Sequence, residues 1–120
     1  MFKVCTILGT RPEIIRLSRI IPAFDKFFDH ILVNTNQNFI YELNQIFFDG
    51  LKLRKPDFQL NMPQEDFKLG KMLEQINQLL IKTKPDAIFI LGDTDSSLCS
   101  IIAKRLGITI FHYEAGNRCF

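Results

Sequence analysis

The chain has 120 residues, 47% of them apolar and 12 of them Phe, with a mean hydropathy of +0.06; the length suits one domain that buries roughly two-thirds of the surface of its unfolded chain, and the composition excludes disorder. A net charge of +2, from 15 basic and 13 acidic residues without blocks of like charge, excludes a nucleic-acid-binding stripe. No window approaches the roughly 18 apolar residues of a membrane span, the apolar run in MFKVCTILGTRPE is too short for a signal peptide, and Cys5, Cys99 and Cys119 lack C-x-x-C spacing and read as reduced, buried thiols, so a soluble cytoplasmic protein with no membrane partner is expected.

Lys3 to Leu8 (KVCTIL) is rich in β-formers and ends at Gly9, which predicts a buried first strand. After the turn at Gly9, Thr10 and Arg11, Pro12 stands at the first position of a helix, where its missing N–H costs nothing, and Ile14, Leu17, Ile21 and Phe24 recur at helical spacing. Pro22 is expected to end or kink that helix late in its course. His30 to Val33 is the second strand, opening into the polar loop Asn34-Thr35-Asn36-Gln37-Asn38. A short helix with Ile40, Leu43 and Phe47 on one face follows, closed by Gly50 in a left-handed backbone. Pro56 to Asn61 reads as a short third strand.

Asp66 to Thr83 carries the clearest helical signal: Leu69, Met72, Leu73, Ile76, Leu79, Leu80 and Thr83 form a stripe opposite Lys68, Lys71, Glu74, Gln75 and Gln78. The run AIFIL, ending at Gly92 and Asp93, suits a parallel strand covered on both faces. Ser96 to Leu106 reads as a helix capped by Gly107, and Ile108 to Tyr113 as a last strand that runs into Glu114. The alternation predicts an α/β fold, one domain over residues 1–120 with a Rossmann-like parallel sheet of about five strands, right-handed crossovers and helices on both faces.

Open parallel sheets bind ligands beyond the carboxyl ends of their strands, where helix N-termini face the opening. On that rim the sequence delivers Thr10 and Arg11 after the first strand, Thr35 to Asn38 after the second, Asp93, Thr94 and Asp95 after AIFIL, and Glu114 and Arg118 after the last. Acid, acid, arginine and amide together on one rim mark it as the candidate site. Each also has a plainer reading: Gly9 as a tight turn, Asp93 as a turn residue, Asp95 as a helix cap, Arg11 as a partner of Glu13, Gln37 as a solvated side chain. Lacking G-x-G-x-x-G and a Walker lysine, the Gly9 turn does not point to a dinucleotide or ATP.

Taken together, GTRPEIIRLSR, NTNQNFIYELN, LGDTDSS and HYEAGNRCF resemble, in order and spacing across the whole chain, the non-hydrolysing UDP-N-acetylglucosamine 2-epimerase family. Within it, RPEIIRLSR, RKPDFQLN and EAGNRCF are most similar to the branch that makes UDP-N-acetyl-L-fucosamine from its L-talose epimer for bacterial surface polysaccharides. The general 2-epimerases have Lys in place of Arg16, and a T-G-Q-H loop where this chain has Thr35, Asn36, Gln37 and Asn38.

The resemblance implies half of a two-domain, GT-B-like epimerase fold, homodimeric at full length. The second domain, expected to lie outside this chain, supplies most uridine and phosphate contacts and further catalytic residues, including a glutamate and a histidine; neither His30 nor His112 fits that histidine. It further implies a UDP-sugar substrate, C2 inversion by elimination and re-addition of UDP, and no NAD or metal. Asp93 and Glu114 match catalytic acids, and Arg11, Arg16, Gln37, Thr94 and Arg118 substrate-binding positions. Gln37 also matches a loop that binds a regulatory UDP-sugar in some bacterial members, whose histidine is Asn38 here. The alternatives are a non-catalytic module that binds nucleotide sugar weakly or self-associates, and a nucleotide-sugar glycosyltransferase domain, against which H-x-E-A-G argues.

Overall fold

The computed structural model describes residues 1–35, 50, 53–60, 69–92 and 95–113. Five strands, β1 (Lys3–Leu8), β2 (Asp29–Asn34), β3 (Phe58–Gln59), β4 (Ala87–Leu91) and β5 (Thr109–Tyr113), form one parallel sheet in the order β3-β2-β1-β4-β5. The central position of β1 explains why KVCTIL is apolar nearly throughout, since both its faces and both its edges are covered. Among the described residues, helices α1 (Arg11–Leu17), α2 (Ile20–Phe27), α3 (Leu69–Thr83) and α4 (Ser100–Arg105) accompany the sheet, the last entered through a 3₁₀ turn at Asp95–Cys99.

Successive side chains of a strand point to opposite faces, so each strand feeds two cores. Cys5, Ile7, Val33, Ile88 and Ile90 pack with Met72, Ile76, Leu79 and Leu80 of α3 and with Cys99 and Ala103. On the other face Leu8, Leu32 and Leu91 pack with Ile14, Leu17 and Ile21 of α1 and α2 and with Leu53. Right-handed crossovers require this division, because β2 joins β1 on one side and β4 joins it on the other. Each fully buried Leu or Ile contributes roughly 1.5–3 kcal/mol. The parallel sheet with helices on both faces is thus as the sequence predicts.

The expected single helix from Pro12 is two helices, and the break falls before Pro22. Pro22 has no N–H for the Ser18 carbonyl and its ring crowds that carbonyl, so the chain yields at Ser18 and Arg19. Proline then stands in the first turn of α2, where an N–H has no helical partner in any case. Gly50 is itself helical and has no left-handed φ, so it is not the cap predicted there. The predicted third strand shrinks to Phe58–Gln59. The start of the helix predicted from Ser96 is a 3₁₀ turn. Leu69, placed in the buried stripe of α3, is 37% exposed.

Gly107 does terminate α4, at φ 73°, with its N–H on the Lys104 carbonyl and the Ile108 N–H on that of Ala103, the paired bonds of a Schellman motif. Cys5 and Cys99 are free and buried; Cys119 lies outside the described residues, as do the predicted helix around Ile40, Leu43 and Phe47 and the start of the helix predicted from Asp66. Among the described residues no helix is long and apolar enough to cross a membrane.

Candidate functional site

The strand register aligns the carboxyl ends. Leu8 pairs with Asn34 and Leu91 with Tyr113, so the segments leaving β1, β2, β4 and β5 start from one edge of the sheet. Specific bonds hold that edge. The Glu13 carboxylate, 2% exposed, accepts the N–H groups of Gly9 at 2.6 Å and Thr10 at 3.1 Å, which locks the turn from β1 into α1. Glu13 is the third helical residue after the Thr10 cap, the acidic half of a capping box. The Thr10 hydroxyl is buried there without a hydrogen bond among the described residues.

At the end of β2, the Thr35 amide donates to Leu8 O at 2.8 Å. Its hydroxyl, fully buried, lies 3.1 Å from that of Ser96, 1% exposed, so the chain leaving β2 is tied to the first turn after β4. Beyond β4, Gly92 adopts φ 68°, a left-handed turn that glycine reaches at no steric cost. Its N–H donates to Tyr113 O at 2.9 Å, and its own carbonyl is bonded to His112 Nε2. The turn after β4 is therefore fastened to the end of β5.

Of the residues that sequence singles out, Arg11 opens α1 at this edge, and of its position only the backbone is described. Arg16 is exposed in the last turn of α1, about 7.5 Å along the helix from Arg11 at 1.5 Å per residue. Gln37, Asp93, Thr94, Glu114 and Arg118 lie outside the described residues. Gly92 and Tyr113, next to Asp93 and Glu114, and Thr35, two residues before Gln37, are brought to the common edge. Thr35 and Ser96 lie within the NTNQNFIYELN and LGDTDSS motifs, yet nothing local announces that their hydroxyls, 61 residues apart, pair; for Glu13 the local signal is Thr10-x-x-Glu13. His30, expected to open the second strand, is the second residue of β2 and has a buried side chain, and His112 belongs to β5, as the sequence predicts. Among the described residues no three His, Cys, Asp or Glu side chains gather as metal ligands.

A family model described as UDP-N-acetylglucosamine 2-epimerase matches residues 23–120. A UDP-N-acetylglucosamine 2-epimerase of Methanococcus maripaludis is 43% identical over 125 residues, covering 100% of this chain and 33% of its own. Among solved structures, the UDP-N-acetylglucosamine 2-epimerase of Rickettsia bellii superposes with a TM-score of 0.88 at 52% identity, over 100% of this chain and 33% of that one. The Methanocaldococcus jannaschii enzyme in complex with UDP-GlcNAc and UDP gives 0.84 at 39% identity, over 98% of this chain and 33% of that one. The chain thus spans about a third of the length of the curated relatives it matches. With the model matched over most of the sequence and the fold shared throughout, the chain belongs to the UDP-N-acetylglucosamine 2-epimerase family.

Proposed function

We propose that this chain supplies one side of the active site of a UDP-N-acetylhexosamine 2-epimerase, with a nucleotide sugar as substrate. The observation that carries the reading is the fastened edge at Gly9, Thr35 and Gly92, from which the motif segments depart, in a chain of this family. The complex of a relative with UDP-GlcNAc and UDP supports the choice of ligand.

The C2 hydrogen of such a sugar is next to no carbonyl, so enolisation is not open to it. Instead, one of the carboxylates Asp93 and Glu114 takes the C2 proton while the C1–O bond to UDP breaks, leaving a glycal and UDP. The bond from UDP oxygen to C1 then re-forms as a proton is delivered to the opposite face of C2. Atoms and electrons balance without an oxidant or reductant, so the step calls for no NAD. Each positioned proton transfer is worth roughly 10²–10⁴-fold. Arg11, Arg16 and Arg118 hold the departing pyrophosphate, whose charge suits guanidinium pairs, and Gln37 and Thr94 complete the sugar contacts. The finer reading is C2 inversion of the L-talosamine sugar to L-fucosamine for a bacterial surface polysaccharide, in a cytoplasmic homodimer whose second domain completes the site.

Solvent deuterium is expected to enter C2 of a UDP-N-acetylhexosamine, faster for the talosamine sugar than for UDP-GlcNAc, with a loss of about a hundredfold or more in Asp93→Asn or Glu114→Gln. Absence of deuterium from a protein of the relatives' full length carrying this segment sinks the reading. A second reading, a non-catalytic module that self-associates, is favoured by the exposure of Phe2, Phe111 and Tyr113 on one face. Calorimetry without UDP-sugar heat, beside a defined dimer in sedimentation, selects it.

A further inference from the structure

Beneath α2, a polar cluster runs from the buried side chains of Thr6 and His30 outward to Asp25, Arg54 and Asp57 at the surface. His30 of β2 has a side chain 1% exposed, with Nδ1 2.7 Å from Asp25 of α2 and Nε2 2.6 Å from the Thr6 hydroxyl of β1. Arg54 grips Asp25 through Nε at 3.0 and 3.1 Å and Asp57 at 3.1 Å, and donates to His30 O at 3.3 Å. Asp57 in turn accepts the Leu32 N–H at 2.8 Å, and the Phe24 ring meets the imidazole edge-on at 5.5 Å.

These partners determine the protons. Burial pushes the Asp25 carboxyl up, but hydrogen bonds from Arg54 and His30 outweigh it and hold it below the ordinary carboxylate range. A carboxylate only accepts, so Nδ1 carries a proton. For His30 burial is the largest influence and pushes the ring below the ordinary imidazole range; Arg54 acts the same way, while Asp25 and Asp57 oppose. The ring is neutral near pH 7, and Nε2 accepts the Thr6 O–H. Carboxylate, imidazole and hydroxyl stand in the order of a nucleophilic triad, yet Thr6 is 1% exposed on the central strand and meets no substrate. The chain of bonds does mechanical work, joining α2, β2 and β1.

We propose that Thr6, His30 and Asp25 form an acid-sensitive latch that holds the carboxyl end of α2 on the sheet. Protonation places a hydrogen on Nε2, so the Thr6 hydroxyl must turn from donor to acceptor and find a new acceptor for its own proton inside a packed sheet. It also creates a buried cation beside Arg54. A base whose folded pKa is depressed binds fewer protons folded than unfolded, so its contribution is complete above the ordinary imidazole range and is lost as pH falls through that range. Asp25 titrates lower still and leaves this window undisturbed.

The test follows the ring of His30 by NMR between about pH 5 and 8, with urea unfolding and amide exchange over the same range. His30 is expected to titrate below about 6.5, with the ratio of folded to unfolded protein falling by up to about tenfold per pH unit beneath that value. The amides of Asp25 to Phe28 should lose protection before those of α3. His30→Gln should flatten the slope. Titration of wild-type His30 at or above about 6.5, or an unchanged slope in His30→Gln, overturns the latch; if His30→Gln does not fold, the wild-type titration decides.

Discussion

The face of the sheet toward α3 and α4 is closed by apolar side chains that interlock from Cys5 to Ala103, whereas the face toward α1 and α2 mixes aromatic rings with a half-exposed ionic cluster around the buried His30 and stops short of β5. On the second face Phe111 is 51% and Tyr113 46% exposed, and a groove of about 440 Å³ runs between Phe2, Val4, Phe24, Phe28, Phe89 and Phe111. Both faces come from the same five strands, whose alternate side chains line one face or the other, so residue type alone does not account for the open end at β5. Crossover handedness does: α1 and α2 lie over β1 and β2, and among the described residues nothing covers β5 on their side.

Deleting a side chain from the closed face tests this most strongly. Ile88→Ala, at a fully buried position on β4, should cost about 2–5 kcal/mol in urea unfolding; a cost under about 1 kcal/mol would show the closed face to be loosely packed. On the opposite side, Glu13→Ala leaves the Gly9 and Thr10 amides without their acceptor and should cost about 2 kcal/mol, part of it recovered by Glu13→Gln.

Alkaline pH should also single out the closed face. Burial pushes the thiols of Cys5 and Cys99 up to about 12, so each binds its proton more tightly folded than unfolded. Stability should then fall as pH rises above about 9, by up to about 1.4 kcal/mol per pH unit for each thiol, and Cys5→Ala with Cys99→Ala should remove that slope. The smallest effect belongs to the open face: Phe111→Ser should change stability by no more than about 0.5 kcal/mol, and a loss as large as that of Ile88→Ala would mean that β5 is covered after all.

Much of this architecture is legible locally. AIFIL gives β4 its bounds, KVCTIL gives β1, and the period of Met72, Ile76, Leu79 and Leu80 gives the buried stripe of α3. The break before Pro22 was readable in kind but not in place, because a proline acts on the carbonyl four residues earlier. At the candidate site the motifs announce which segments reach the edge, and Thr10-x-x-Glu13 announces how one of them is held. The Thr35–Ser96 pair and the meeting of Thr6, His30, Asp25 and Arg54 are silent in sequence, since their members are ordinary polar residues drawn from different elements.

By itself, then, the sequence determined the strands β1 and β4 and the apolar stripe of α3, because periodicity and turn chemistry act within a few residues. Only the tertiary structure decided which face would be sealed, which aromatic rings would stand open and which polar side chains would be buried together. Those outcomes depend on strand order and register across separations of 24 to 61 residues, where crossover handedness and close packing act and local propensity does not.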